Sequence, residues 1–280
     1  MRDTTTKSYP TIAQGFGIVG LFILLSISQS PFYMLLSNVV DKELSMLVFY
    51  VIVTATILWI ACVYKKVIEG KSSSFNLHIS NWQILPFIII GELMIQIGIS
   101  QPISDLIPMP EMFKKYLLEM TLNANVFTFF AIVIAAPLLE EAIFRGVILD
   151  GLLKKYSPQR SIVISSFLFG LVHMNPWQFV GAFFLGLFMG WVYYKTRSLL
   201  PSILMHASTN LVAFIGMKVT DASDFDKTLF DYWGGWTNFT LATVGAILIL
   251  FLCIFFLKKI FAKDEMKKMT AFEDNLGQQV

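Results

Sequence analysis

Charge is what this sequence has least of: only 14% of its 280 residues are Asp, Glu, Lys or Arg. The net charge of +2, with basic residues scattered through short loops, excludes an extended basic surface for nucleic acid. Cysteine is also scarce. Cys62 and Cys253 both lie inside apolar runs, which excludes a disulfide framework and a cysteine metal site. The sequence has three histidines, no compact HExxH zinc motif, no internal repeat and no low-complexity segment.

Apolar side chains dominate instead. Hydrophobic residues make up 56% of the chain and aromatics 15%, and the mean hydropathy of +0.67 lies outside the range of soluble domains. A bilayer-spanning helix needs about 20 apolar residues, and such runs recur along nearly the whole chain. The pattern predicts an all-α polytopic membrane bundle of about eight helices. They fall near residues 12–30, 45–64, 84–101, 126–149, 161–173, 179–194, 199–217 and 237–257. The fifth is short and ends on His173.

Basic residues orient these spans. With the amino terminus in the cytoplasm, the cytoplasmic loops and tails hold Arg2, Lys7, Lys65, Lys66, Lys71, Lys154, Lys155, Arg160, Lys195, Arg197, Lys258, Lys259, Lys263, Lys267 and Lys268. The other side receives only Lys42, Lys114, Lys115, Lys218 and Lys227, the asymmetry of the positive-inside rule. Both termini are therefore expected in the cytoplasm. The competing reading of the first span as a cleaved leader meets an apolar stretch that is long for a signal. Between spans three and four, Met112, Phe113, Tyr116, Leu117 and Met120 recur at helical spacing. That predicts an amphipathic helix at the outer interface, either packed over the bundle or gating it.

Polar residues inside the spans are few, and each costs about 2.5–3.5 kcal/mol near the bilayer centre unless paired or wetted. They are Glu92, Glu140, Glu141, Arg145, His173, His206 and Asn210. Glu141 and Arg145, at i and i+4, share a helix face and can pair, whereas Glu140 points about 100° away. His206 and Asn210 also share a face. Glu92 and Gln96 do so too, and read as structural pairing or a cavity wall. Counted from the basic markers Lys154, Arg160 and Arg197, residues Glu140, His173 and Asn210 lie fourteen, thirteen and thirteen positions into their helices. At 1.5 Å per residue, three helices thus bring polar groups to one level, roughly 20 Å from the basic side.

A glutamate, two histidines and an asparagine in a dry bundle fit peptide hydrolysis. Glu140 can activate water with help from His173, and His206 with Asn210 can donate to the oxyanion. The Glu141–Arg145 pair would hold Glu140 in position. No serine or cysteine stands out as a nucleophile. Two histidines and a glutamate also form a legitimate zinc set, although the reading leans towards metal-free water activation. A proton-coupled transporter would use similar residues, but the broken helices and paired halves of that class are not evident.

At these positions the sequence resembles the intramembrane CAAX-type proteases and related bacteriocin-processing enzymes, the CPBP or Abi family. EEAIFR at 140–145 fits the family's EExxxR, FGLVH at 169–173 its FxxxH, and HASTN at 206–210 its HxxxN. The segment 181–206, with Gly181, Gly186 and Gly190, also looks like the family's linking segment. The resemblance covers roughly residues 125–215. It implies an eight-helix bundle in which Glu140 and His173 activate water while His206 and Asn210 stabilise the oxyanion. On this reading residues 1–124 form amino-terminal helices with the interfacial segment, 125–215 the catalytic core, and 216–280 the last span and a solvated cytoplasmic tail, all within one membrane domain. The implied partners are the lipid bilayer and a membrane-associated peptide or protein substrate, in a bacterial cell membrane. A non-catalytic bacteriocin-immunity or scaffold role is the alternative that the family carries.

Overall fold

The computed structural model describes residues 8–221 and 227–277, and these are helical with no strand. Ten helices follow one another: α1 Ile12–Leu36, α2 Lys42–Glu69, α3 Trp82–Ser104, α4 Glu111–Leu122, α5 Val126–Leu153, α6 Pro158–Leu171, α7 Pro176–Thr196, α8 Leu200–Val219, α9 Leu229–Trp233 and α10 Trp236–Gly277. Seven of them (α1, α2, α3, α5, α7, α8 and α10) are long and apolar enough to cross a membrane. The chain is an integral membrane protein.

Local chemistry sets the helix ends. Asp41 caps α2 by accepting from the amides of Glu43 and Leu44, both at 3.0 Å, and Gly70 closes it at φ 72°. Thr11 and Gln14 form a reciprocal capping box on α1. Asn175 caps α7 just ahead of Pro176, a residue whose missing N–H is harmless in the first turn.

Two of the spans widen locally to i→i+5 hydrogen bonding, and a proline explains each. Gln96–Ser100 precedes Pro102, and Phe130–Ala135 precedes Pro137. A proline ring collides with the carbonyl four residues back, here that of Gly98 and Val133, and a wider turn relieves the clash. A third widened stretch, Ala142–Leu149, has no proline and directly follows the two glutamates.

The sixth helix spans only 14 residues, about 21 Å at 1.5 Å per residue, short of a bilayer core of about 30 Å. Contacts at its two ends nevertheless lie on opposite faces of the bundle. Before it, Lys154 pairs with Glu69 at the end of α2. After it, the Trp177 indole donates to the Ile107 carbonyl beyond the far end of α3, at 3.0 Å. Helix α6 and the turn that follows therefore join the two faces, and the fifth span of the sequence reading is present as a helix shorter than the seven that are long and apolar enough to span a membrane. Tyr9, bonded through its amide to Glu69, lies on the same face as Asp264 and Glu265 of α10, which bind Asn81 and Lys195. That face also carries Lys65 and Lys154.

Helix α5 is the centre of the molecule. Half of its most apolar window is buried, against 17% for α1, and Ile143, Phe144, Val147, Ile148, Leu149 and Leu152 are fully enclosed. Outward-facing Leu24, Trp59, Leu241 and Phe251 are about two-thirds exposed, as a bilayer solvent allows. Helices α6 and α7 pack closely because a Cβ on Gly186 would stand 3.0 Å from that of Ser166, and one on Gly190 3.1 Å from Ile162 Cγ2. Gly181 faces Gln96 across a looser gap.

Helix α4 matches the predicted amphipathic segment. Its Phe113 ring stacks on Trp177 at 4.8 Å, and Glu119 pairs with Lys42 of α2. Cavities of about 310 and 450 Å³ open on its two sides. The last helix differs from the sequence reading. It continues unbroken for 42 residues, so the expected tail is helical through Gly277, and Asp264 and Glu265 tie it to Asn81 and to Lys195 in the last turn of α7.

Candidate active site

Position on α5 separates the two glutamates. Glu141 lies fully buried on the face towards α7 and α8, and Arg145, one turn on, donates to it through Nη1 at 2.9 Å. The guanidinium also reaches the Gly186 carbonyl at 3.4 Å and lies over the Phe169 ring, 4.5 Å from its centroid. Buried ion pairs persist where further groups satisfy the guanidinium and the carboxylate. Here a carbonyl and an aromatic face supply that support.

His206 of α8 stands between the glutamates. Its Nδ1 is 3.0 Å from Glu141 Oε1, and its Nε2 is 3.9 Å from Glu140 Oε2. A carboxylate only accepts, so Nδ1 carries a hydrogen and Nε2 is the nitrogen presented to Glu140. His173, at the end of α6, is fixed in the same way, its Nδ1 donating to the Phe169 carbonyl at 2.9 Å. Both imidazoles pack edge-on against the Phe169 ring, at 5.5 and 5.6 Å between centroids. The residue after His173, Met174, adopts φ 55° without being glycine, a strained conformation typical of functional turns.

Glu140 is 8% exposed and turned away from Arg145. Tyr50 of α2 donates its hydroxyl to Glu140 Oε1 at 2.5 Å, while Oε2 has no hydrogen-bond partner among the described residues. Sequence reasoning missed Tyr50. The signal was present, because Tyr50 is fifteen residues from Lys65, nearly the depth that Glu140 has from Lys154.

The structure brings together Glu140, Glu141, Arg145 and His206, with His173 joined through Phe169. Asn210, one turn beyond His206 on α8, makes its hydrogen bond to the backbone of α5. Its amide donates to the Ile132 carbonyl at 2.6 Å, eight residues before Glu140 on α5. In the widened stretch the i→i+5 partner of that carbonyl would be Pro137, which has no N–H, so a side chain takes the bond. Glu92 does not bond Gln96. Its Oε2 accepts from Ser208 of α8 at 3.4 Å, and its Oε1 is buried without a hydrogen-bond partner among the described residues.

Unpartnered buried polar atoms gather here. Glu92 Oε1, Glu140 Oε2, Glu141 Oε2, Arg145 Nε and Thr209 Oγ1 belong to this cluster or adjoin it. Such atoms are rare in proteins and mark places where water, an ion or a substrate group completes the bonding. A zinc ion fits less well: among the described residues no three His, Cys, Asp or Glu side chains converge closely enough to hold a metal.

Comparison with known proteins agrees with the motifs. Residues 122–212 match the family model described as type II CAAX prenyl endopeptidase Rce1-like. The UPF0177 protein YxdF of Lactococcus lactis subsp. lactis (strain IL1403) is 34% identical over 89 residues, which are 31% of this chain and 49% of that protein. The chain thus spans about half the length of the curated relative it matches. No solved structure matches it. The family resemblance read from EEAIFR, FGLVH and HASTN is borne out over this segment, which contains every one of these motifs.

Proposed function

We propose that this protein is a membrane-embedded endopeptidase that hydrolyses a peptide bond of a membrane-associated protein or peptide. The observation that carries the reading is the placement of His206, whose Nδ1 is oriented by Glu141 while its Nε2 faces the unpartnered Oε2 of Glu140. Glu140 Oε2 takes a proton from water, which attacks the scissile carbonyl, and His173 shares that water through its outward Nε2. In its imidazolium form, with a hydrogen on Nε2 as well as the one Nδ1 gives Glu141, His206 donates through Nε2 to the developing oxyanion. Asn210 contributes the second N–H of an amide whose first N–H holds Ile132. The protonated Glu140 then passes its proton to the leaving amine. No step runs through a metal.

The Rce1-like match supports a substrate with a lipid-modified or membrane-bound segment, and the lactococcal relative supports a bacterial cell membrane. The shared, lysine-rich face of Tyr9 and α10 is the cytoplasmic one on this reading. The test compares membrane peptides from cells carrying the native chain and cells carrying Glu140→Ala. Peptides whose processing stops in the variant name the substrate, and identical profiles with both proteins present in the membrane would sink the proposal.

A further inference from the structure

Tyr50 lies outside the matched segment 122–212, on a helix that carries none of the three motifs. Among the described residues it is nonetheless the one that hydrogen-bonds the Glu140 carboxylate, His206 standing 3.9 Å from the other oxygen. We propose that Tyr50 is a positioning residue for Glu140: its hydroxyl holds Oε1 and leaves Oε2 as the reacting atom, so that the functional site needs α2 as well as the matched core. This rests on the hydrolase reading above.

Three observations converge on it. The bond is short, and it joins residues 90 apart in sequence on two different helices, so it reports how α2 docks on α5. A glutamate has two oxygens and a rotatable carboxyl plane. Without a donor on one oxygen, either could face His206, and the 3.9 Å approach of Oε2 to Nε2 would not be fixed. The bond also survives a catalytic cycle. When Oε2 takes a proton from water, Oε1 becomes the carbonyl oxygen of the acid and still accepts from Tyr50, so the group need not reorient between proton uptake and release.

The position within α2 fits the same role. Asp41 caps the helix, and at the other end Lys65 binds Asp150 and the Gly146 carbonyl of α5, at 3.0 and 3.3 Å. Lys65 contacts α5 on the cytoplasmic side of Glu140 and Tyr50 contacts Glu140 itself, which fixes the register of α2 along α5 over fifteen residues.

The test begins with infrared spectroscopy of the full-length protein in liposomes, where Glu140→Gln identifies the Glu140 carboxylate band as the one lost. In Tyr50→Phe, and by a smaller step with 3-fluorotyrosine at position 50, that band moves, whereas the exposed Tyr64→Phe leaves it in place. An unmoved band in Tyr50→Phe overturns the proposal, whatever the protein cleaves. With a farnesylated quenched-fluorescent peptide as probe, Tyr50→Phe lowers kcat about tenfold and leaves KM within about twofold. A change in KM alone would also overturn it. A moved band in a protein that alters no membrane peptide leaves the Tyr50 assignment standing and removes the hydrolase reading instead.

Discussion

His206 touches one glutamate and faces another: its Nδ1 is 3.0 Å from Glu141 Oε1, and its Nε2 is 3.9 Å from Glu140 Oε2. Adjacent residues on one helix therefore do different work. Glu141 is shared between Arg145 and His206, and Glu140 keeps one oxygen uncommitted.

Loss of Arg145 should destabilise more than loss of Glu140. Arg145→Ala strands a fully buried carboxylate, which costs about 3–5 kcal/mol. Glu140→Gln keeps the size of the side chain and an acceptor for Tyr50, so thermal unfolding in detergent should change little. Equal melting temperatures for the two variants would contradict the division of roles.

Removing both ends of the pair should separate stability from activity. Arg145→Met with Glu141→Leu replaces a buried ion pair by apolar groups, which is often neutral or stabilising by about 1–4 kcal/mol. The double variant should melt near the native temperature yet cleave nothing, because His206 has lost the acceptor that orients it. Cleavage at the native rate would show that Glu141 does not act through His206.

Close packing of α6 on α7 should also control the site. Gly186→Ala puts a Cβ 3.0 Å from that of Ser166 and 3.1 Å from the Ser166 backbone. It should cost about 1–3 kcal/mol as overpacking and push away the helix that carries His173. Gly181→Ala, against a gap of 3.8 Å to Gln96, should be silent in the same unfolding assay.

The number of crossings is open to direct measurement. Seven long helices alone would put Tyr9 and the end of α10 on opposite sides of a membrane, whereas a crossing by α6 puts them on the same side. Reporter fusions after Tyr9 and after residue 270 should report one compartment, and a reporter in the turn at Met174 the other. Opposite compartments for the two ends would remove the α6 crossing.

Much of this was legible in the sequence because bilayer physics is restrictive. Apolar runs fix spans, and the i,i+4 spacing of Glu141 and Arg145 appears as a 2.9 Å ion pair. Depth counting brought Glu140, His173 and Asn210 to one level, with His206 one turn nearer the basic side. It did not reveal that the Asn210 amide is drawn to a carbonyl near Pro137, because depth says nothing about which acceptor a side chain finds. Tyr50 was passed over because a tyrosine in an apolar span looks like any other aromatic, and its importance comes from the packing of α2 on α5. The bond from His206 to Glu141 was invisible for the same reason. Spacing describes one helix, while a partner 65 residues away is set by tertiary structure.

The most direct test is hydrolysis by purified protein in liposomes, using the membrane peptide whose processing is lost with Glu140→Ala and following the new amino terminus by mass spectrometry. The native chain should cut at one bond, and Glu140→Gln, folded and with an unchanged melting temperature, should lose at least about a hundredfold in rate. Cleavage by Glu140→Gln at the native rate would contradict the account at its centre.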